Sequence, residues 1–310
     1  MKTLIAIISL LILAGTSMHA QGDYERVVKE AFKTSGSPTV EIETRFGSAH
    51  VTAVSGTTVK AVVRITAISG SQKLAKKLAD AVRVELKGGG SYVSIRTALP
   101  AEMDEDNENE ERNIDIEVTV SLPVKSKLKL ESKFGEVDIT GVMGLVDANC
   151  RFGSVEIKKC ANVSARNAFG DLSLGTITGS MRVSTKMGQV IAYNVPGGSI
   201  LSSYGDVEVT KINGALEVKS SMGSMTLKGL RNGNIENSYG SVEITVPKSF
   251  GGSIEATSSF GSIDTDFDLK REKAKRSHGD TGDKRYGTIG KGNDKIIVES
   301  SFGDITIEKE

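Results

Sequence analysis

The chain has 310 residues, among them 39 basic and 39 acidic side chains, 34 glycines and no tryptophan. The balanced charge argues against the broad basic field of a nucleic-acid-binding protein, so nucleic acid is not an expected partner. The glycine content favours an architecture with many tight corners over a helical domain.

Residues 1–20 have the pattern of a secretory signal peptide. Lys2 gives a positive start, residues 4–14 are almost wholly apolar, and the small Ala20 suits a cleavage site before Gln21. The apolar run is shorter than the ~20 residues that a helix needs to cross a bilayer, so we expect no membrane span. We therefore predict an exported protein of the periplasm, the cell surface or the extracellular space.

Residues 21–123 are predicted to form a small α+β cap that covers the first edge of a repeat array. Residues 24–32 look helical, one isolated copy of the repeat motif surrounds Phe46, and residues 71–82 have the periodicity of an amphipathic helix capped by Ser71. Strands are predicted at residues 59–68, 82–86, 92–97 and 114–122.

Residues 124–310 contain a short repeat in which an aromatic residue or methionine is followed at once by glycine. From Phe134 to Tyr239 the steps between these pairs are 18, 17, 18, 17, 18 and 17 residues. Such a period indicates stacked units that bury a core only against their neighbours. With the isolated copy at Phe46, the aromatic or methionine members are Phe46, Phe134, Phe152, Phe169, Met187, Tyr204, Met222, Tyr239, Phe260 and Phe302.

One coil can be read by numbering from this residue as position 0. Positions −6 and −4 are mostly apolar, which indicates a strand with one buried face. Position −2 continues that face but holds Ser, Thr, Asn or Cys, so we expect a hydrogen-bonded polar ladder inside the solenoid, because an unpaired buried group costs roughly 1–3 kcal/mol. The residue at position 0 is expected to close the strand and stack on its equivalent without facing water.

Glycine at position +1 is expected to turn a corner, through a backbone angle or a close approach that a β-carbon would obstruct. Inward apolar residues resume at +3 and +5, and a further one at +8 marks the remaining corner. Equivalent strands should pair in parallel at ~4.8 Å, giving nine coils and a rod of roughly 40 Å from Phe134 to Phe302. The fold class is thus all-β: a parallel β-solenoid, with right-handed winding favoured.

Two charged segments interrupt the pattern. Residues 101–112 carry seven acidic side chains, and the insertion at residues 268–284 is polar and basic. Both are predicted to be solvated loops near opposite ends of the rod. They could also meet between molecules in a weak, salt-sensitive self-association.

The segments IDIEVTVSLPVKSKLKLESKFGEVDITG (residues 114–141) and VSARNAFGDLSL (residues 163–174) carry a resemblance, as does the opening VEIETRFGSAHVTAVSGTTVKAVVRITA. The chain resembles a bacterial family of exported β-strand-repeat domains of unknown function, catalogued as putative adhesins. The resemblance implies a β-solenoid of the cell envelope and supplies no catalytic residue to carry over.

Few residues suggest reactive chemistry. Only His50 and His278 follow the signal segment, in separate regions, so we assign no histidine triad or metal site. Cys150 and Cys160 occupy inward-pointing positions of one coil. We expect them to be buried free thiols or, because export would permit it, a disulfide.

Outward acids at positions +2 and +4 could hold calcium or act on a polysaccharide, but serines and a glutamine interrupt their rows, so a solvated face is preferred. Their residues are Glu136, Asp171, Asp206 and Asp304 at +2, and Asp138, Glu156, Glu208, Glu243 and Asp264 at +4.

The sequence therefore predicts a non-enzymatic, exported envelope solenoid that acts as an adhesin-like binding or scaffold protein. Its partner would be an envelope protein or a glycan. We assign no catalytic, cofactor-binding or metal-binding residue and no cofactor. The alternative is a β-helical carbohydrate-active enzyme of the lyase or hydrolase type, which would need a deep cleft lined by several carboxylates and a basic residue.

Overall fold

The computed structural model of the chain describes residues 22–99, 113–274 and 282–310. The predicted signal peptide at residues 1–20, the acidic segment 101–112 and residues 275–281 of the basic insertion lie outside the described residues. The right-handed winding and the division of the chain at residue 123 stay predictions.

The described residues form a β-solenoid of two long ladders and one helix, α1 (Gln72–Ala81). The strands that precede the glycine corner build sheet 1, and those that follow it build sheet 2. Sheet 1 contains β1 (Asp23–Phe46), β4 (Arg83–Ala98), β6 (Lys127–Phe134), β8 (Leu145–Phe152), β10 (Asn162–Phe169), β12 (Met181–Met187), β14 (Gly198–Tyr204), β16 (Ala215–Met222), β18 (Asn232–Tyr239), β20 (Gly252–Phe260), β22 (Lys270–Ala274), β23 (Gly282–Ile289) and β24 (Asp294–Phe302). Sheet 2 contains β2 (Ser48–Val54), β3 (Thr58–Ile68), β5 (Asn113–Pro123), β7 (Val137–Thr140), β9 (Val155–Lys158), β11 (Leu172–Thr176), β13 (Val190–Asn194), β15 (Val207–Thr210), β17 (Met225–Lys228), β19 (Val242–Val246), β21 (Ile263–Thr265) and β25 (Ile305–Lys309).

Neighbouring coils pair in parallel with equivalent positions in register. Phe169 of β10, for example, pairs with Phe152 of β8 on one side and Met187 of β12 on the other. The inward positions −6, −4, +3 and +5 are filled mainly by Val, Ile, Leu, Ala and Met side chains that are almost completely buried. The parallel β-solenoid predicted from the period is thereby confirmed.

The third corner of the coil also follows the pattern. The apolar residues at position +8, such as Val142, Ile177 and Leu230, are buried. Isolated parallel bridges join Cys160 to Ile177 and Val195 to Ile212. Each coil therefore has two main strands and a short third segment, as the spacing indicates.

The glycine at position +1 is required on two grounds. Gly170 has a φ of +120°, and a Cβ built there would lie 2.4 Å from the carbonyl oxygen of Gly153 in the neighbouring coil. Real Cβ atoms do not approach a backbone oxygen so closely, and φ in this region suits a residue without a side chain. The glycines thus form a ladder of their own, which keeps the corners of successive coils in contact.

At the amino-terminal end, the order of coils in space differs from their order along the chain. β1 and β2 pair with β6 and β7 on one side and with β4 and β5 on the other. The motif copy around Phe46 is therefore the second coil of the stack, rather than an isolated copy, and β4 with β5 forms the outermost coil. β3 pairs antiparallel with β5 and with residues 23–33 of β1.

Two local expectations meet different outcomes in this region. The helix predicted at residues 24–32 is wrong: these residues pair with β3 as part of the long strand β1, because long-range ladder bonds override the local preference. The helix predicted at residues 71–82 is confirmed as α1, where the Ser71 side chain accepts a bond from the Leu74 backbone N–H at 3.3 Å. The helix packs on β1 and β3.

At the carboxyl-terminal end, the last two coils exchange places. β24 and β25 insert between β18 with β19 and β20 with β21. The antiparallel hairpin of β22 and β23 then pairs with β20 at the end of the stack. The described part of the chain therefore contains eleven stacked coils, roughly 50 Å long at the ~4.8 Å strand spacing.

Candidate functional site

The residues at position 0 form a continuous ladder along one corner of the rod. Successive rings from Phe46 to Phe169 lie 4.9–5.1 Å apart between centroids and are parallel to within 9°. Phe302 stacks in the same way between Tyr239 and Phe260, at 4.8 and 4.6 Å. We call the ten side chains at position 0 the aromatic ladder.

The aromatic ladder stacks as predicted, but the expectation that it avoids water is wrong. Its first three members are half-buried, and the others, from Phe169 onwards, are 38–56% exposed. Strand pairing passes from position −2 directly to position 0, so the alternation breaks there and the rings lie on the outer surface. The coils nevertheless stay in register, because the inward aliphatic columns and the glycine ladder align equivalent positions of neighbouring coils.

Stacking decides which part of each ring a ligand can reach. The faces of Phe134 and Phe152 are covered by the rings of neighbouring coils, so these residues offer their edges to solvent. An aromatic platform that binds a neutral sugar needs a free ring face, which the interior members of this ladder do not have. Ring edges carry the positive end of the aromatic quadrupole and suit negatively charged groups.

A column of cations runs beside the first half of the aromatic ladder, at position −1. It consists of Arg45, Lys133, Arg151 and Lys186, with Ala168 in place of a cation on the coil of β10, and we call it the basic column. The ammonium nitrogen of Lys133 lies 5.2 Å from the Phe134 ring centroid, and the guanidinium carbon of Arg151 lies 5.6 Å from that of Phe152. Sequence analysis missed this column, although the repeated pattern of Arg or Lys directly before the aromatic–glycine pair was a usable signal.

Further along the rod the same position holds hydroxyl groups instead of cations. These residues are Ser203, Ser221, Ser238, Ser259 and Ser301. The outer surface beside the aromatic ladder is thus polarised along the axis, with basic coils first and serine-rich coils after them.

Two shallow grooves follow this surface. The first, of about 770 Å³, extends over the coils of β4 to β12 and includes the basic column together with Arg166, Glu43 and Glu131. The second, of about 430 Å³, lies over the serine-rich coils and includes Ser221, Ser238 and Ser301. Ion pairs hold Glu43 to Arg96 at 3.2 Å and Glu131 to Lys129 at 3.0 Å.

The polar side chains at position −2 lie inside the solenoid, as predicted, and their amides bond to the glycine corners. The amide nitrogen of Asn167 donates to the carbonyl oxygens of Gly153 and Gly170, both at 2.9 Å. Asn237 repeats this arrangement on a later coil. These bonds join the inner column to the glycine ladder.

The hydroxyl groups of the same column are paired less regularly. Ser258 donates to the carbonyl oxygen of Gly303 at 3.0 Å, and Thr44 donates to Ser132 at 3.3 Å. Three other hydroxyls have no hydrogen-bond partner among the described residues: those of Thr185, Ser220 and Ser300. The predicted hydrogen-bonded ladder therefore forms only in part, because the glycine carbonyls, and not the neighbouring side chains, are its main acceptors.

The aspartates at position +2 have a structural role that their sequence pattern did not reveal. Asp171 accepts a bond from the Gln189 backbone N–H at 2.9 Å, and Asp206 does the same for Ser224 at 2.8 Å. Asp304 accepts from the backbone N–H and the hydroxyl of Ser262, which lowers the pKa of its carboxyl group. Each carboxylate thereby closes the corner of the next coil in the stack.

The remaining candidates for reactive chemistry are separated. His50 bonds to Asp138 on the neighbouring coil at 2.8 Å, while His278 lies outside the described residues. Within the ranges described, no group of three or more His, Cys, Asp or Glu side chains is arranged to hold a metal ion. Among those same residues, no helix has the length and apolar run needed to span a bilayer.

The two cysteines are buried free thiols, so the disulfide alternative is not realised in this structure. Cys150 stands in the polar column between Ser132 and Asn167, and Cys160 stands at the third corner. Burial raises the pKa of Cys150 to about 12 and also raises that of Cys160. Thiols of this kind are unreactive in the folded state.

Comparison with known proteins identifies a family and several similar structures. Residues 41–308 match the family described as Toastrack DUF4097. No curated protein matches the chain.

Three solved structures align with more than nine-tenths of it. A "putative cell adhesion protein" from Clostridium sporogenes is 13% identical, with a TM-score of 0.24, and the alignment covers 93% of this chain and 100% of that one. A "putative adhesin" from Bacteroides fragilis is 9% identical, with a TM-score of 0.37 and coverages of 92% and 97%. A "putative lipid binding protein" from Parabacteroides distasonis is 15% identical, with a TM-score of 0.37 and coverages of 93% and 97%.

Proposed function

The chain belongs to the Toastrack DUF4097 family, and from this premise we propose that it is a non-enzymatic, adhesin-like binding or scaffold protein of the cell envelope. The observation that carries the proposal is the surface beside the aromatic ladder, where side chains of one kind repeat in register coil after coil. Such a surface suits an extended partner that makes many equivalent contacts.

The grooves on this surface favour binding over catalysis. A polysaccharide-cleaving site needs carboxylates that face each other across the substrate. The two carboxylates of the first groove, Glu43 and Glu131, are instead ion-paired with basic residues of the same sheet. The aspartates at position +2 are likewise occupied as acceptors for backbone N–H groups.

Export is the second part of the proposal and rests on the predicted signal peptide at residues 1–20. A bacterial host expressing the full chain with a carboxyl-terminal tag provides the test. We expect the mature chain in the periplasm, on the cell surface or in the medium, shortened at its amino terminus by about 20 residues. Retention of the full-length chain in the cytoplasm would contradict export.

Binding is tested by applying the purified mature chain to arrays of envelope glycans and envelope proteins. We expect saturable binding to at least one class, with no shortening of any bound polysaccharide on prolonged incubation. Depolymerisation of a glycan by the purified chain would instead support the carbohydrate-active enzyme, and absence of binding on both arrays would contradict a binding role.

A further inference from the structure

Three members of the basic column, Lys133, Arg151 and Lys186, lie at the same position on nearby coils and line one groove. Lys133 and Arg151 each lie against an aromatic ring. Together with Lys186, they make no ion pair with an acidic side chain in the described part of the chain. Elsewhere on the rod, Lys158 and Lys219 lie 2.6 and 3.0 Å from a glutamate oxygen. These three cations therefore keep positive charge that their own fold does not neutralise.

The edges of the aromatic ladder add to this charge. Phe134 and Phe152 turn their ring edges outward immediately beside Lys133 and Arg151. Because ring edges are electropositive, the three cations and the adjoining rings form one strip that favours anions. The strip spans three coil-to-coil intervals from Lys133 to Lys186, about 14 Å at the ~4.8 Å strand spacing.

The spacing of the strip selects the kind of anion. Its coils repeat every 4.9–5.1 Å, as the ring centroids show. The cations are one coil apart from Lys133 to Arg151 and two coils apart from Arg151 to Lys186, because Ala168 lies between them. An extended acidic peptide lying along the axis would present side chains on one face only every ~6.7 Å, out of step with the coils. A polysaccharide with one carboxylate on each sugar advances by about the length of a sugar ring per charge, which is close to the coil spacing, and it also carries hydroxyl groups that can bond to the serines at the same position on later coils.

From these observations we propose that this strip of cations and ring edges binds a linear acidic polysaccharide laid along the rod axis. The serine-rich coils beyond Lys186 continue the same surface and offer hydroxyl groups to the sugar hydroxyls. This proposal rests on the proposed binding function and names its ligand class.

The test measures binding of the full mature chain to polygalacturonate of defined length by biolayer interferometry, with EDTA present to prevent calcium gelation. Neutral galactan, galacturonate monomer and poly-L-glutamate serve as comparison probes. We expect polygalacturonate to bind more tightly than poly-L-glutamate of equal charge, and the other two probes not to bind. The affinity should fall as NaCl is raised, because exposed charges are screened within about 10 Å at 0.1 M salt.

The test variant replaces Lys133, Arg151 and Lys186 by serine, the residue that later coils carry at the same position, so folding should be preserved. We expect its affinity to fall at least about tenfold, since each exposed charge pair contributes modestly and three are removed. A control with the same change in net charge replaces three cations outside the strip by serine, and its affinity should stay within about twofold of the parent chain. The control positions are Lys127, Lys228 and Lys295. Circular dichroism checks that both variants fold.

Several outcomes would overturn the proposal. Equal loss in the two variants would mean that binding follows net charge alone, and tighter binding of poly-L-glutamate would point to an acidic peptide as the partner.

The failure of this proposal can be distinguished from the failure of the proposed function. If the parent chain binds an envelope protein or a neutral glycan on the arrays but not polygalacturonate, the binding function stands and the ligand class is wrong. If no probe and no array component binds, both are wrong.

Discussion

Replacing Gly170 by alanine tests whether the glycine ladder sets the spacing of the coils. Gly170 has a φ of +120°, and a Cβ there would lie 2.4 Å from the Gly153 carbonyl oxygen. Gly56, in the turn between β2 and β3, has the same φ of +120°, but a Cβ there would have nothing within 4 Å. The two variants therefore share the left-handed φ and differ in the close approach.

The expected losses of unfolding free energy follow from these two terms. A non-glycine residue held at such a φ costs roughly 1–3 kcal/mol, so this is the loss expected for Gly56→Ala. Gly170→Ala adds the cost of overpacking, about 1–3 kcal/mol, because a backbone oxygen cannot rotate away from the new methyl group. The change in unfolded-chain entropy is the same in both variants and cancels in the comparison.

Guanidinium unfolding followed by far-UV circular dichroism measures the difference. We expect a lower midpoint for Gly170→Ala than for Gly56→Ala, with equal slopes so that the midpoints can be compared. Gly36→Ala provides a baseline, since Gly36 has no left-handed φ and a methyl group added there would have no heavy atom within 4 Å. Equal midpoints for Gly170→Ala and Gly56→Ala would refute the claim that close contact between coils demands glycine.

Three further predictions follow from the corner and the core. The pKa of the Asp304 carboxyl group is lowered in the folded state by the N–H and hydroxyl groups from which it accepts hydrogen bonds, so its contribution to folding stability is complete at neutral pH and is lost as the pH falls below about 4. In melting experiments from pH 7 to pH 2.5, Asp304→Asn should lack this part of the acid dependence. An unchanged profile would contradict the assignment. Burial raises the pKa of Cys150 to about 12 and also raises that of Cys160, so a thiol reagent at pH 8 should label neither cysteine in the folded chain. After denaturation without reductant it should label both. Labelling of fewer than two cysteines in the denatured chain would indicate a disulfide. Phe152→Ala removes two stacked contacts, each worth about 0.5–1.5 kcal/mol. It should lower the midpoint of guanidinium unfolding more than Tyr204→Ala does, because the Tyr204 side chain is 54% exposed. The opposite order would show that stacking does not stabilise the ladder.

Side-chain periodicity predicts only some features of the candidate site. The repeat predicted that matching residues would stack, and the rings from Phe46 to Phe169 do so. It did not predict that the rings would face outward, because strict alternation from position −2 puts position 0 inside. The break in strand pairing just before each ring is a property of the corner, and a one-dimensional pattern cannot reveal it.

The roles of the polar side chains required the structure for a similar reason. A row of aspartates at position +2 reads equally well as a metal site, a solvated face or a set of backbone caps. Only the positions of the N–H groups of the next coil show that Asp171, Asp206 and Asp304 are caps. The basic column was visible in the sequence, but whether Lys133 and Arg151 meet acidic side chains or aromatic rings is decided by the three-dimensional arrangement.

The repeat period was enough to predict a single coil: its length, its inward columns, its glycine corner and its parallel stacking. The order of the coils at the two ends is visible only in three dimensions, where β4 with β5 lies outside β1 with β2 and where β24 with β25 lies inside β20 with β21. The period cannot predict this order because every coil presents nearly the same ladder of hydrogen bonds and the same inward side chains to its neighbours. Strand pairing alone therefore does not determine which coil stacks next to which. The order of the coils depends on the loops and hairpins at the two ends of the solenoid.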